Sequence, residues 1–136
     1  GKPFLYFDDY DYSHNKFYLN GSWNNDFESV ISNNDSLDQS NYLAFKFRSK
    51  SVNGVFSSEN EAKVFVKLDG KNLKENEAGV DIQFDDQDRS FILVNQPKMY
   101  SLLILPIYDE KVITMIPEDK GISVFAFTFG SYEEGF

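Results

Sequence analysis

The chain contains no cysteine and a single histidine, His14, among its 136 residues. The absence of cysteine excludes a disulfide bond, a thiolate zinc site and a thiol nucleophile. His14 lies in a polar segment between Ser13 and Asn15, and the chain has no Gly-x-Ser-x-Gly elbow. Nucleophilic catalysis by a hydroxyl needs a positioned base. We therefore expect His14 to be a surface residue.

Long apolar runs and clustered positive charge are also missing. No run approaches the roughly 20 apolar residues of a membrane-spanning helix, and the amino terminus lacks the basic-then-apolar order of a signal peptide. Because the chain begins at Gly1, we expect it to be a piece of a longer protein. It scatters 13 basic residues among 22 acidic ones, for a net charge of −9. These features argue against a nucleic-acid partner, attraction to anionic lipid and direct membrane insertion.

Glycoside hydrolysis needs only two facing carboxylates, and the chain has many. The candidates form two groups, which are Asp81, Asp85, Asp86 and Asp88, and Asp8, Asp9 and Asp11. Both groups fall at turns among other acids, without an apolar stretch that would raise the pKa of one carboxyl above the other. We interpret them as solvated turn residues and expect a domain that is not an enzyme.

Calcium is an alternative use for the same acids, since this ion prefers several hard oxygens within a few residues. The segments 85–88 and 8–11 offer such oxygens, although neither has the glycine and the distal glutamate of an EF-hand loop. No glycine-rich loop precedes a helix, so a phosphate cradle is absent. We expect no cofactor, with a structural calcium ion left open as an alternative.

The chain is rich in aromatic residues, with 14 Phe and 8 Tyr. Such side chains suit a pleated, half-buried surface. From residue 81 to residue 130, five short apolar runs are divided by turn residues and none has a helical period. The last run alternates strictly. It predicts one strand face made of Phe125, Phe127 and Phe129, and an opposite face made of Val124, Ala126 and Thr128.

Two earlier strands are predicted from the same alternation. The segment 42–50 is expected to turn Leu43, Phe45 and Phe47 inward and Lys46, Arg48 and Lys50 to water. The segment 63–68 sets Val64, Val66 and Leu68 against Lys63, Phe65 and Lys67. The pair Asp69-Gly70 then predicts a hairpin turn, and Asn53-Gly54 predicts a tight turn or a bulge.

Further strands are predicted at 4–7, 17–23, 80–84, 91–95, 100–105, 111–116 and 122–129. Pro106 and Pro117 should mark strand ends, because proline cannot donate to a sheet ladder. About eight to ten short strands without an amphipathic helix predict an all-β fold. We expect a two-sheet antiparallel β-sandwich of the jelly-roll, galactose-binding type. It should comprise residues 17–136 and follow an approach segment of residues 1–16.

Flat aromatic faces beside Asp or Asn are typical of a carbohydrate site, because a sugar ring stacks through its C–H face while its hydroxyls need fixed polar partners. The candidate faces are Trp23, Tyr42, Phe65, Tyr100 and Tyr108. We select Trp23, Asp81 and Tyr100 as the candidate ligand-binding residues. The alternative is that Trp23 and Tyr100 belong to the core or its edge.

Six motifs occur in a characteristic order: Phe17-Tyr-Leu-Asn-Gly-Ser-Trp23, Leu43–Phe47, Val66–Lys71, Gly79–Ile82, Gln96–Leu103 and Val124–Gly130. Together they span residues 17 to 130. This ordered set resembles the carbohydrate-binding-module-like domain at the carboxy end of DipZ-type proteins, which also contain a thioredoxin-like domain. The long acidic amino-terminal segment and the Asn-rich loop 32–41 depart from the pattern.

The resemblance implies a jelly-roll domain outside the cytoplasm, in the same polypeptide as a thioredoxin-like domain. It implies no redox chemistry in this domain, which suits the lack of cysteine, since a stray thiol would invite mixed disulfides. We therefore expect a non-catalytic accessory domain that docks against its redox domain or another partner. The alternative is a carbohydrate-binding module that recognises a cell-surface glycan.

Overall fold

The computed structural model describes residues 3–6, 17–25, 30–32, 42–118 and 121–130, the first three ranges by their backbone pairing alone. Within these ranges lie ten strands and a single 3₁₀ turn, Glu75–Glu77. The strands are β1 (Pro3–Tyr6), β2 (Phe17–Asn25), β3 (Val30–Ser32), β4 (Tyr42–Ser58), β5 (Ala62–Leu68), β6 (Lys71–Asn72), β7 (Gln83–Phe84), β8 (Ser90–Val94), β9 (Lys98–Pro117) and β10 (Ile122–Gly130). Every pairing between these strands is antiparallel, which confirms the all-β class.

The ten strands form one hydrogen-bonded sheet that is folded into two layers. The first half of β4, residues 43–49, pairs with residues 109–115 of β9, and its second half, residues 51–56, pairs with residues 98–104. The first layer contains residues 43–49 of β4 and 109–115 of β9, together with β2, β5, β8 and β7. The second layer contains residues 51–56 of β4 and 98–104 of β9, together with β10 and β3. The long strands β4 and β9 are therefore shared by both layers, and the predicted two-sheet sandwich is confirmed.

The strands β4 and β9 pass from one layer to the other at a break in their pairing. Ser49 pairs with Asp109, whereas Ser51 pairs with Ile104. Ser49 is buried and its hydroxyl donates to the carbonyl of Ser51 at 2.9 Å. Pro106, which has no N–H to donate, falls inside the segment of β9 that this break leaves out of the ladder. The prediction of two separate strands ending at Pro106 is thus wrong, since β9 is one strand of 20 residues with an interruption.

The interior between the layers is filled by aromatic and branched side chains. The ring of Phe45 in the first layer lies 4.7 Å from that of Phe127 and 5.6 Å from that of Phe129 in the second layer. Phe56 packs edge-on against Tyr100 and Phe127. The predicted inward residues are all buried, namely Leu43, Phe45, Phe47, Val64, Val66 and Leu68. Edge-to-face ring pairs of this kind stabilise beyond their buried area.

Strand β10 departs from the strict alternation expected of it. Its register against β4 shifts between Val124 and Ala126, so that Phe125 is an extra residue in the ladder. Such a bulge changes which residues face the interior. Val124 joins the core and Phe127 packs against it, whereas Phe125 remains 42% exposed. The predicted faces are therefore wrong for Phe125, which leaves the face of Phe127, and for Val124, which lies on the side of Phe127 instead of opposite it.

The two predicted glycine turns have different outcomes. Asp69 and Gly70 both have positive φ, at 50° and 80°, and they join β5 to β6 as the predicted hairpin. Asn53-Gly54 does not reverse the chain, because it lies within β4 next to a register shift after Val52. The shift leaves Leu102 of β9 without a partner, so the extra residue lies on the facing strand and Asn53-Gly54 forms neither the predicted turn nor the predicted bulge. A side chain at Gly54 would press on the ring of Phe56 in the core.

The segment before β7 forms a loop along the edge of β9 instead of the predicted strand 80–84. The N–H of Gly79 donates to the carbonyl of Leu102 at 2.9 Å, and the N–H of Asp81 donates to that of Ser101 at 3.3 Å. Only Gln83–Phe84 continue as a strand. Gly79 is buried in this contact, and a Cβ atom there would overlap the backbone of Ser101.

Substitution of Gly79 by alanine tests this close approach. Because the added Cβ would overlap rigid backbone, we expect Gly79→Ala to lower the free energy of unfolding by about 1–3 kcal/mol. The control is Val80→Ala at the neighbouring exposed position, for which a change within about 0.5 kcal/mol is expected. Urea unfolding measures both, and equal values would contradict the described contact.

Candidate binding surface

The outward side of the first layer gathers positive charge. We call the residues Lys46, Arg48, Lys63, Lys67 and Arg89 the cationic face. Lys46 and Arg48 alternate along β4 with buried residues, and Lys63 and Lys67 do so along β5. Arg89 directly precedes β8. These five cations lie beside the three carboxylates of Asp85, Glu110 and Glu118, in a chain whose net charge is −9.

An apolar row crosses the middle of this face. Phe65 pairs with Phe91 on β8 and with Ile116 on β9, and Tyr42 on β4 packs against the same cluster. We call these four residues, three of which are aromatic, the aromatic row. The rings of Phe65 and Phe91 lie 6.1 Å apart in a tilted arrangement. Although they face away from the core, Phe65 and Phe91 are only 5% and 6% exposed.

Two members of the cationic face cover this row. The ammonium nitrogen of Lys63 lies 4.6 Å from the ring centre of Phe91, and the guanidinium carbon of Arg89 lies 4.8 Å from that of Phe65. Both distances are typical of cation–π contacts. The aliphatic stems of long cationic side chains also cover apolar surface. The sequence does not predict that Lys63 and Arg89 cover these rings. Its alternation along β5 does place Lys63, Phe65 and Lys67 on one side of that strand.

Asp85 positions Arg89 within the turn between β7 and β8. One oxygen of its carboxylate accepts the backbone N–H groups of Gln87 and Arg89, each at 2.9 Å, and the other accepts the Arg89 side-chain N–H at 2.7 Å. Desolvation opposes ionisation of this carboxyl, but the hydrogen bonds from Arg89 and Gln87 outweigh it and lower the pKa of Asp85. The acid therefore acts as an anchor for a cation that caps the aromatic row.

A second charged cluster lies where β4 and β9 change layers. Glu110 lies 3.9 Å from the ammonium of Lys46 and 4.0 Å from the guanidinium of Arg48. The guanidinium of Arg48 also lies 6.0 Å from the ring centre of Tyr108. Tyr108 is 49% exposed, and the neighbouring Ile107 is exposed as well. This end of the face thus offers an accessible aromatic ring beside charged groups.

Tyr100, a predicted ligand-binding residue, lies in the core. Its side chain is 2% exposed and packs against Phe56. Its hydroxyl donates to the carbonyl of Gln96 at 2.7 Å and accepts the N–H of Asn95 at 3.2 Å. The ring therefore has no face open to a sugar and instead holds the turn between β8 and β9. For Tyr100 the structure supports the alternative of a core residue.

Asp81, the second predicted ligand-binding residue, is engaged by the backbone and by a lysine of β9. The carboxylate of Asp81 accepts the backbone N–H of Ser101 at 2.7 Å and lies 3.3 Å from the ammonium of Lys98. The same ammonium lies 4.8 Å from the ring centre of Tyr100. Asp81 therefore ties its loop to β9, which is a structural role. Trp23 pairs with Phe4 in the backbone register, and its side chain lies outside the described residues.

The predicted calcium sites are the acidic segments 85–88 and 8–11, of which the structure describes only the first. Among the residues the structure describes, no group of three or more acidic or histidine side chains could hold a metal ion. His14 and the acids at 8–11 lie outside the described residues. The structural calcium ion stays a prediction. Among the described residues, no helix has the length and hydropathy of a membrane span.

The described fold and surface define a class, an all-β jelly-roll sandwich. A similar solved structure is a family two carbohydrate esterase from Cellvibrio japonicus, with a TM-score of 0.62 and 13% identity. The likeness covers 83% of this chain but only 30% of the esterase chain, and at this identity it shows the fold alone. Among curated proteins, no match was found.

Residues 3–130 match the family described as the thioredoxin-like C-terminal domain. Because the match covers nearly the whole chain, the chain belongs to this family. The part of the resemblance that concerns thioredoxin-like proteins is thereby confirmed. The narrower assignment to DipZ-type proteins stays a prediction.

The lowered pKa of Asp85 predicts a pH dependence of stability. A carboxyl whose pKa is lower in the folded state than its ordinary 3.8 stabilises the fold above about pH 4, and this contribution is lost as pH falls through the folded pKa. Asp85→Asn keeps an amide oxygen as acceptor but loses the charge. We expect the difference in urea midpoint between the parent chain and Asp85→Asn to shrink from pH 6 to below pH 3.

The matched control is Asp86→Asn, which removes an equal charge from an exposed position in the same turn. Its midpoint difference should be small throughout the pH range. A difference for Asp85→Asn that stayed constant down to the lowest pH would contradict the ionic anchor.

Proposed function

We propose that this chain is a non-catalytic accessory domain of a thioredoxin-family protein that acts outside the cytoplasm. It docks against the thioredoxin-like domain of its own polypeptide or against a partner of that domain. Membership of the thioredoxin-like C-terminal domain family over residues 3–130 carries this proposal. A narrower version places the chain in a DipZ-type protein.

The chemistry of the chain supports a role in binding. Because the chain has no cysteine, it cannot exchange thiols or carry a disulfide itself. Any contribution to thiol–disulfide chemistry must therefore come through contact with the protein that holds the reactive thiols. The layered sheet supplies rigid faces for such contact, since strands bonded on both sides keep their side chains in fixed register.

Docking is tested by titration of the ¹⁵N-labelled chain with the thioredoxin-like domain encoded in the same reading frame. We expect shifts in a contiguous set of amide resonances on one face, because a specific interface covers roughly 20–30 residues a side. An unrelated protein of equal charge is the control. An upstream frame without such a domain, or spectra that do not change, would refute the proposal.

Glycan recognition is the second candidate, supported by two observations. The fold is similar to that of a protein whose described activity is on carbohydrate, and Tyr108 presents an exposed ring next to Asp109. Tyr108 is one of the aromatic residues that the sequence marked as flat faces for a sugar. A ring of this kind stacks on a pyranose while neighbouring carboxylates bind hydroxyls.

This second candidate is tested on a glycan array. We expect a bound glycan to lose about tenfold or more in affinity for Tyr108→Ala, since a stacking ring contributes on the order of 1 kcal/mol or more. Phe84→Ala, which truncates another partly exposed ring, should bind as the parent chain does. An array without hits, or equal losses for both variants, would remove this candidate.

A further inference from the structure

We propose that the cationic face is the surface that docks, and that its occupant is an acidic face of the companion thioredoxin-like domain. This inference rests on the proposed function and adds to it the location and the charge of the interface. The aromatic row and its two caps give the surface its centre, and Lys46, Arg48 and Lys67 extend it.

The first argument is the charge of the face relative to the rest of the chain. The chain has 22 acidic residues against 13 basic ones, so a partner with an acidic face is repelled by most of its surface. On one side of the first layer, by contrast, the five cations of the cationic face outnumber the three carboxylates that contact them, those of Asp85, Glu110 and Glu118. An acidic partner would thus be steered to this side, because complementary potentials set both orientation and encounter rate.

The second argument is that the positive charge of the face is only partly neutralised. Glu110 is shared between Lys46 and Arg48 at distances of 3.9 and 4.0 Å, so one carboxylate faces two cations. No described side chain pairs with Lys67. Asp85 engages one edge of Arg89, whose side chain remains 41% exposed. Donors on this face are therefore available for additional carboxylates.

The third argument is that the central cations are held in place. Lys63 and Arg89 lie over Phe91 and Phe65, and Asp85 fixes Arg89 from its own turn. A side chain that is already ordered loses less conformational entropy when it binds. The register places the capped rings on neighbouring strands, β5 and β8. A partner thus meets a flat face with preset charges.

The burial of the rings favours a protein over a glycan or a membrane as the occupant. Phe65 and Phe91 are only 5% and 6% exposed beneath their caps, so a sugar has no open ring to stack on at the centre of the face. An anionic membrane is an extended plane that would also meet the acidic surface around the cationic face, so the net charge of −9 opposes its binding more than that of a protein with one acidic face. Carboxylates on a protein surface can contact the cation heads without displacing them from the rings.

The test compares two double charge reversals in the titration with the companion domain. Lys46→Glu with Lys67→Glu changes the cationic face, and Lys71→Glu with Lys74→Glu makes the same change in charge at exposed positions after the β5–β6 turn. We expect the first variant to weaken Kd about tenfold or more and the second to stay within about threefold. Raising sodium chloride from about 50 to 200 mM should weaken the parent complex and affect the first variant less. Circular dichroism and urea unfolding confirm that both variants fold.

The outcomes separate this inference from the function on which it rests. Amide shifts confined to strands β4, β5, β8 and β9, with the expected order of affinities, support it. Shifts on another face, or equal affinities for both double variants, overturn the assignment of the face while docking stands. An absence of shifts in the parent chain overturns docking itself. Binding of polygalacturonate to the cationic face, with no binding of the companion domain, would overturn the inference in favour of an acidic glycan.

Discussion

The pairing of β4 with β9 is the constraint on which the rest of the structure depends. These two strands stay bonded to each other in both layers, and they change layers at the register shift between Ser49 and Ser51, which is followed by a second shift after Val52. That crossing brings Phe45 of one layer against Phe127 of the other. It also sets which residues of β4 face outward in the first layer. The interior and the cationic face are therefore two consequences of one register.

The same register explains how the outward side of the first layer carries aromatic rings that are not exposed to solvent. Apolar rings on the outside of a sheet normally invite association. Here the strand pairing places Lys63 and Arg89 diagonally across from Phe91 and Phe65, within reach of their rings. Since each cation covers the ring of a neighbouring strand, the cover forms only when β5 and β8 are correctly paired. The surface charge and the sheet register are thus coupled.

Much of the fold was predictable because alternation is a local property. Leu43, Phe45 and Phe47 were expected inward and are buried, and the Asp69-Gly70 turn forms as its residue types predict. The bulge at Phe125 was not predicted, since an extra residue is visible only against the partner strand. For the same reason, the sequence predicts a strand end at Pro106, although the pairing of β9 with β4 resumes beyond this residue.

The candidate site was less predictable, because alternation assigns a face but does not say what covers it. The sequence leaves Tyr100 either as a platform for a sugar or as a core residue, and the hydrogen bonds of its hydroxyl with Asn95 and Gln96 decide for the core. Asp81 was expected to bind a ligand, and it binds the backbone of Ser101. Conversely, Arg89 had no motif to mark it. Its role arises from the turn that Asp85 closes, which brings a cation over Phe65. A binding face built from such cross-strand contacts is encoded by the pairing of strands, and so it is found by working out the register rather than by searching for motifs.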